Sequence, residues 1–178
     1  MARLFIAVEP SSEIRNNLAA AAQSLLGTSA RLSVVGASQM HITLKFLGEV
    51  PDSKIPKIIT TFSELHGEPY QLSASGVGVF GRPTRVIKAE VKDNGASKEL
   101  ASKLDSLLSS IGIPKETQPF SPHLTLARVK EYSPDILPKV AAVKDADFGS
   151  CTIDKVALKK STLTPSGPIY ETIAEVKL

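Results

Sequence analysis

Two of the chain's three histidines stand in the same four-residue frame, His41-Ile42-Thr43-Leu44 and, 82 residues later, His123-Leu124-Thr125-Leu126. Chance puts a Thr two places after two of three histidines about once in a hundred such sequences, before the matching apolar neighbours are counted. If each frame is a strand, side chains alternate between faces, so His41, Thr43 and Lys45 point one way and Ile42, Leu44 and Phe46 the other. An imidazole and a hydroxyl then stand side by side, about 7 Å apart along the strand, on the face opposite the core. Two such strands facing one another make a pocket with two bases and two hydroxyl donors.

Two histidines with ordinary pKa values near 6.5 are a natural acid-base pair at neutral pH, one neutral to take a proton and one charged to give it. Opening a phosphodiester ring needs that pair: one imidazole deprotonates the attacking water or hydroxyl and the other protonates the departing ribose oxygen. The Thr hydroxyls and neighbouring amides can hold the non-bridging oxygens as charge redistributes. A single His-x-Thr is more often a strand residue beside a β-branched neighbour, and it is the duplication that points to chemistry. A metal centre needs three or four ligands, and neither frame has a second His, Asp or Glu at ligand spacing.

The 178 residues suffice for one domain, or for two small lobes sharing a core, expected to span 1–178. A net charge of +3 permits an anionic partner without demanding one. The single cysteine, Cys151, excludes an internal disulfide, reads as a buried small hydrophobe, and makes a reducing cytoplasm the expected location. The opening apolar run is too short for a signal peptide, and no stretch approaches the roughly 20 apolar residues of a membrane helix.

The elements that would position the frames follow from periodicity. Leu4, Ile6 and Val8 alternate with Arg3, Phe5 and Ala7 in a strand that stops at Glu9-Pro10. Ser11 or Ser12 caps a helix with Ile14, Leu18, Ala22 and Leu25 on one side. Arg31–Val35 reads as a short strand, and the first frame belongs to a strand from Met40 to about Leu47. Pro51-Asp52-Ser53 opens a helix closed by His66-Gly67, where His66 would complement the helix dipole. Strands are expected over 70–80 and 85–91, joined by Gly81-Arg82-Pro83-Thr84. Asn94 caps the next helix, through Leu100, Leu104 and Leu108. Pro119 and Pro122 hold the approach to the second frame extended. Ser133-Pro134 can start a helix limited by Pro138, and strands over about 150–160 and 170–177 finish the chain. Strand, helix and frame thus occur in both halves, suggesting two similar lobes across a cleft.

The frames and their surroundings resemble those of the two-histidine phosphoesterases, in particular the RNA 2′,3′-cyclic phosphodiesterase or 2′-5′ RNA ligase family. The residues that carry the resemblance run from Arg3-Leu4-Phe5-Ile6-Ala7 through His41-Ile42-Thr43-Leu44-Lys45-Phe46-Leu47-Gly48-Glu49-Val50 and Pro119-Phe120-Ser121-Pro122-His123-Leu124-Thr125-Leu126-Ala127-Arg128. They end at Ser161-Thr162-Leu163 and Gly167-Pro168-Ile169-Tyr170-Glu171. The resemblance implies an α+β fold, bilobal, with two pseudo-twofold-related lobes of antiparallel sheet, helices outside and a central cleft, and neither metal nor nucleotide cofactor. It implies hydrolysis of an RNA 2′,3′-cyclic phosphate end to a 2′-phosphate, tRNA halves among the substrates, and a reversible 2′-5′ joining activity in some members. By the same resemblance His41 matches the proton donor to the leaving 3′ oxygen and His123 the acceptor from water, with Thr43 and Thr125 as phosphate-binding hydroxyls. The chain would act as a monomer, without a membrane.

Other residues are candidates for substrate. Phe5 shares a face with Ala7 and could stack on a base or simply pack. Arg85 could serve a terminal phosphate. Strand parity puts Arg128 on the face opposite His123, so a direct phosphate contact requires a bulge or bend. The family often carries Trp where this chain has Leu32 and Lys88, which removes stacking surfaces. An ATP-driven ligase is disfavoured because no Gly-rich loop ending in Gly-Lys-Ser or Gly-Lys-Thr is present. A non-catalytic RNA-binding module and a phosphodiesterase for another small cyclic phosphate remain alternative readings of the same residues.

Overall fold

The computed structural model describes residues 1–178. In chain order the elements are β1 (Ala2–Val8), α1 (Ser12–Ser24), β2 (Arg31–Val34), β3 (Ile42–Val50), α2 (Ile55–Phe62), β4 (Tyr70–Phe80), β5 (Val86–Lys92), α3 (Ala96–Ser109), β6 (His123–Glu131), α4 (Ile136–Val143), β7 (Asp147–Ile153), β8 (Lys155–Thr164) and β9 (Gly167–Lys177). The strands form two antiparallel sheets, a first ordered β3-β1-β8-β9 and a second ordered β2-β6-β5-β4-β7. The architecture is the bilobal α+β arrangement that the resemblance implies. The lobes are not the two halves of the chain, however: β8 and β9 return to the first sheet, while β2 and β4 leave the first half for the second sheet.

The helices are what join the lobes. Helix α1 follows a strand of the first sheet but packs on β6 and β7 of the second, whereas α3 follows a strand of the second sheet and packs on β3 of the first. Helix α1 begins where the Ser11 hydroxyl accepts from the Ile14 amide at 3.4 Å, and it buries Ile14, Leu18 and Ala22 at helical spacing. The back faces of both sheets and their helices merge into one cluster of 34 buried residues, so the lobes share a single core.

Several boundaries differ from the pattern reading, each for a local reason. Helix α3 is capped not by Asn94 but by Asp93, whose carboxylate accepts from the amides of Gly95 at 3.0 Å and Ser97 at 3.1 Å. Asn94 (φ 52°) and Gly95 (φ 85°) both take left-handed conformations, which swings Asp93 under the first turn. The run expected as one strand over 150–160 is two strands, β7 and β8, parted at Asp154 and lying in different sheets. Helix α2 ends at Phe62, so His66 lies four residues past it rather than at its last turn. Cys151 is half-buried, its Sγ accepting from the Ser11 amide at 3.4 Å. The first motif strand starts one residue after His41 and continues through Gly48 to Val50.

Candidate active site

Register between strands decides which side chains reach the cleft. On the first sheet Ile6 pairs with Lys45 but Ala7 pairs with Thr43, leaving Leu44 as an extra residue on β3. On the second, Ile87 pairs with Ala127 but Lys88 pairs with Thr125, leaving Leu126 as the extra residue on β6. Each frame therefore carries a β-bulge at its fourth residue, and beyond it the parity of the strand is reversed. Three alternation-based expectations change for this one reason. Lys45, expected beside His41 and Thr43, turns to the back of the sheet and is buried, while Phe46 comes to the cleft side opposite Phe5 and is 61 % exposed. Arg128, expected opposite His123, joins the face of His123 and Thr125.

Both imidazoles are held by the same device. His41 Nδ1 donates to the carbonyl of Gln39 at 2.7 Å, and His123 Nδ1 donates to the carbonyl of Ser121 at 2.9 Å, in each case the residue two places before. A carbonyl can only accept, so both neutral rings keep their proton on Nδ1 and leave the Nε2 lone pair free. The two approaches are built differently. Gln39 ends a short 3-10 turn, Ala37–Gln39, and its side chain donates to the Pro168 carbonyl at 2.6 Å, tying the turn to the β8–β9 hairpin. Ser121 lies between Phe120 and Pro122, as the proline-flanked approach suggests.

The frames lie on different sheets, His41 and Thr43 on the first and His123 and Thr125 on the second, and their strands approach until Cα atoms of β3 and β6 lie within 8 Å. The charge of Arg128 is felt at both His41 and Tyr170 of the opposite lobe. His41 is packed between Phe5, with ring centroids 4.8 Å apart, and Tyr170 at 5.3 Å. Burial pushes its pKa down from 6.5 to about 4, against the opposing effect of the Gln39 carbonyl. On the other side Phe80 meets His123 edge to face at 5.3 Å. Burial likewise raises the Tyr170 hydroxyl.

A further likeness was not legible from the frames. Beside each histidine the neighbouring strand places a glutamate: Glu90 pairs with His123, and Glu9 follows the Val8–Ile42 pair beside His41. Each carries a buried lysine, Lys159 Nζ at 2.5 Å from Glu9 and Lys88 Nζ at 2.5 Å from Glu90. The one sequence signal is that Glu9 precedes His41 by 32 residues and Glu90 precedes His123 by 33. Phe80 had no signal beyond its place in a strand, and Tyr170 only its place in a strand and in the Gly167–Glu171 stretch that carries the resemblance. Of the other sequence candidates, Phe5 lies against His41, whereas Arg85 is exposed at the foot of the β4–β5 hairpin, next to Val86 and on the other parity. His66 lies apart, in a depression lined by Gly67, Tyr70, Glu99 and Lys103. No group of three or more His, Cys, Asp and Glu side chains is placed to hold a metal, and no helix is long and apolar enough to cross a membrane.

Comparison with known proteins accords with this geometry. The model of the LigT like phosphoesterase family matches residues 8–88 and 91–170, each segment containing one frame. An Archaeoglobus fulgidus protein named RNA 2′,3′-cyclic phosphodiesterase is 36% identical over 171 residues, covering 95% of this chain and 96% of that protein. One of the same name from Methanocaldococcus jannaschii is 34% identical, covering 97% and 99%. A crystal structure of a Thermus thermophilus protein superposes with a TM-score of 0.82 at 30% identity, covering 99% of this chain and 97% of that one. The E. coli LigT structure with 3′-AMP shares the fold at a TM-score of 0.83 and 23% identity, covering 99% of this chain and 98% of that one. With its family model matched in both halves and relatives similar along nearly their whole length, this chain belongs to the LigT-like phosphoesterases and is an enzyme of the two-histidine superfamily.

Proposed function

We propose that this chain hydrolyses the 2′,3′-cyclic phosphate at the end of an RNA to a 2′-phosphomonoester, without a metal, using His41 and His123 as acid and base. The observation that carries the reading is the pair of identical Nδ1 latches, which leave an Nε2 free on each side of the cleft, together with relatives that bear that activity as their name. In the reaction His123 takes a proton from water as its oxygen attacks phosphorus. The bond from phosphorus to the 3′ oxygen breaks, and His41 gives that oxygen its proton. Thr43, Thr125 and Arg128 hold the non-bridging oxygens, where charge-assisted donors are worth most. With a 5′-hydroxyl of another RNA in place of water, the same groups acting in the same direction join ends through a 2′-5′ linkage, and the reverse of that step cleaves the linkage back to the cyclic phosphate and a free 5′-hydroxyl.

With a pKa of about 4, His41 is neutral in the empty cleft at pH 7, because its surroundings penalise the imidazolium. An anionic phosphate against Nε2 offsets that penalty and raises the pKa, so His41 acquires its proton with the substrate. The chain is proposed to work as one domain, as a monomer in the cytoplasm, on RNA ends that include tRNA halves.

The test is turnover of a nucleoside 2′,3′-cyclic phosphate in excess chelator, with a 2′-phosphate as product and a bell-shaped dependence on pH. His41→Ala and His123→Ala should each lower turnover by about 100- to 10,000-fold while retaining binding, and unchanged turnover in either would sink the reading. RNA bound without turnover by the wild-type protein would instead favour a binding module.

A further inference from the structure

We propose that Lys88 is a substrate-binding residue of this reaction, its ammonium taking a phosphate oxygen beside the one held by Thr125, with Glu90 as its counter-ion while the cleft is empty; this rests on the cyclic phosphodiesterase reading. Lys88 is the direct cross-strand partner of Thr125. Such pairs have Cβ atoms about 4.5–5.5 Å apart on one face, so a phosphate oxygen on the Thr125 hydroxyl is within reach of the lysine.

Three buried lysines are available for comparison. Lys45 donates to Asp105 and to the Pro114 carbonyl, and Lys159 to Glu9 and Thr172. Lys88 donates to Glu90 alone and turns another side toward the Phe80 ring, 4.4 Å from its centroid. An ammonium has three donors, so Lys88 keeps hydrogen-bonding capacity that no protein acceptor uses, on the cleft face, with its side chain only 8 % exposed. The same Phe80 ring also packs against His123, with centroids 5.3 Å apart, so one ring touches both the cation and the imidazole.

The arrangement is built into the backbone. Gly78 faces Lys88 from β4, and a Cβ there would lie 2.8 Å from the Glu90 carboxylate, so the carboxylate rests in space that a side chain would close. Glu90 is half exposed and can move aside as phosphate arrives. The other lobe has no counterpart, since Ala7 is the partner of Thr43.

The experiment uses the full chain and a nucleoside 2′-monophosphate, followed by calorimetry, alongside kcat/KM for the cyclic nucleotide. Lys88→Met should weaken 2′-phosphate binding and kcat/KM by about 10- to 100-fold, the range for a hydrogen bond to a charged group. Lys88→Arg should restore most of it, and Glu90→Gln should bind the 2′-phosphate at least as tightly as wild type. The Lys88→Met loss should persist in 1 M salt, where charges act over only about 3 Å. Equal losses in Lys88→Met and Glu90→Gln would mean that the ion pair only supports the fold, and a loss that vanishes in salt would mean a distant field; either overturns the proposal. Should Lys88→Met not fold, weaker binding in Glu90→Gln overturns it alone. Wild-type binding without turnover would overturn the cyclic phosphodiesterase reading and leave the phosphate contact to be judged by calorimetry.

Discussion

The His41 and His123 sides of the cleft share a backbone and differ in what hangs from it. Both have the carbonyl latch on Nδ1, the bulge after Thr and the glutamate–lysine pair. Around that backbone the side chains part: Phe46 and Arg128 occupy equivalent places, as do Phe5 and Val86, Ala7 and Lys88, and Lys159 and Phe80. The His41 side is lined by the rings of Phe5, Phe46 and Tyr170, and the His123 side presents Arg128 and Lys88. Under the proposed function, the repeated backbone would set the proton chemistry, and the side chains that differ around it would set what each side grips: rings for a base on the His41 side, and added positive charge for the phosphate on the His123 side.

The largest effect expected tests the part that is shared. His41→Ala and His123→Ala should each lower kcat by about 100- to 10,000-fold, and the double variant should lose little more, because the two act as one unit. A double variant that loses the product of the two factors would break that equivalence. Next is Lys45, whose counterpart across the repeat is Ala127. Its buried ion pair with Asp105, with the Pro114 carbonyl as second acceptor, ties β3 to α3 and to the loop leading toward His123. Lys45→Met should destabilise the protein by about 3 kcal/mol, read as a fall in Tm of about 6–12 °C.

The contrast after the bulge is sharpened by Arg128→Ala and Phe46→Ala. Arg128→Ala should weaken every phosphodiester substrate by about 10- to 100-fold, whether or not it carries a base. Phe46→Ala should cost about 1–3 kcal/mol on RNA oligonucleotides and nothing on a phosphodiester without a base. A uniform loss in Phe46→Ala would erase the division of labour. The smallest effect is in protons. Because His41 is held at a pKa of about 4 in the empty cleft, and a bound phosphate raises it, binding should take up as much as one proton between pH 4 and the raised value. Affinity then rises as pH falls through that window. Calorimetry in buffers of different ionisation enthalpy measures the uptake, and none in wild type would leave His41 neutral throughout.

The frames, most helices and most strands were readable because they rest on periodicity and on short-range chemistry. What escaped depends on register and on distance along the chain. Alternation from His41 or His123 gives the right face as far as Thr43 and Thr125, and the wrong one at Lys45, Phe46 and Arg128, because nothing in Thr-Leu-Lys or Thr-Leu-Ala announces an extra residue. Glu9 and Lys159 are 150 positions apart, beyond any local pattern. The boundary between β7 and β8 at Asp154 has neither Gly nor Pro to mark it, so two strands of different sheets read as one. Phe5 was a candidate either to stack on a base or to pack, and it packs, 4 % exposed, against His41, while its neighbour Tyr170 came to lie there only when β9 folded back beside β8.

The exchange of helices between lobes also bears on how the protein comes apart. Since α1 covers the sheet that β1 does not belong to, and α3 covers the sheet that β5 does not belong to, neither half can keep its apolar face dry alone. Melting should be a single cooperative event, with calorimetric and van't Hoff enthalpies in agreement, and neither half of the chain should fold as an isolated fragment. Two resolved transitions would show that the shared core is weaker than the contacts within each lobe.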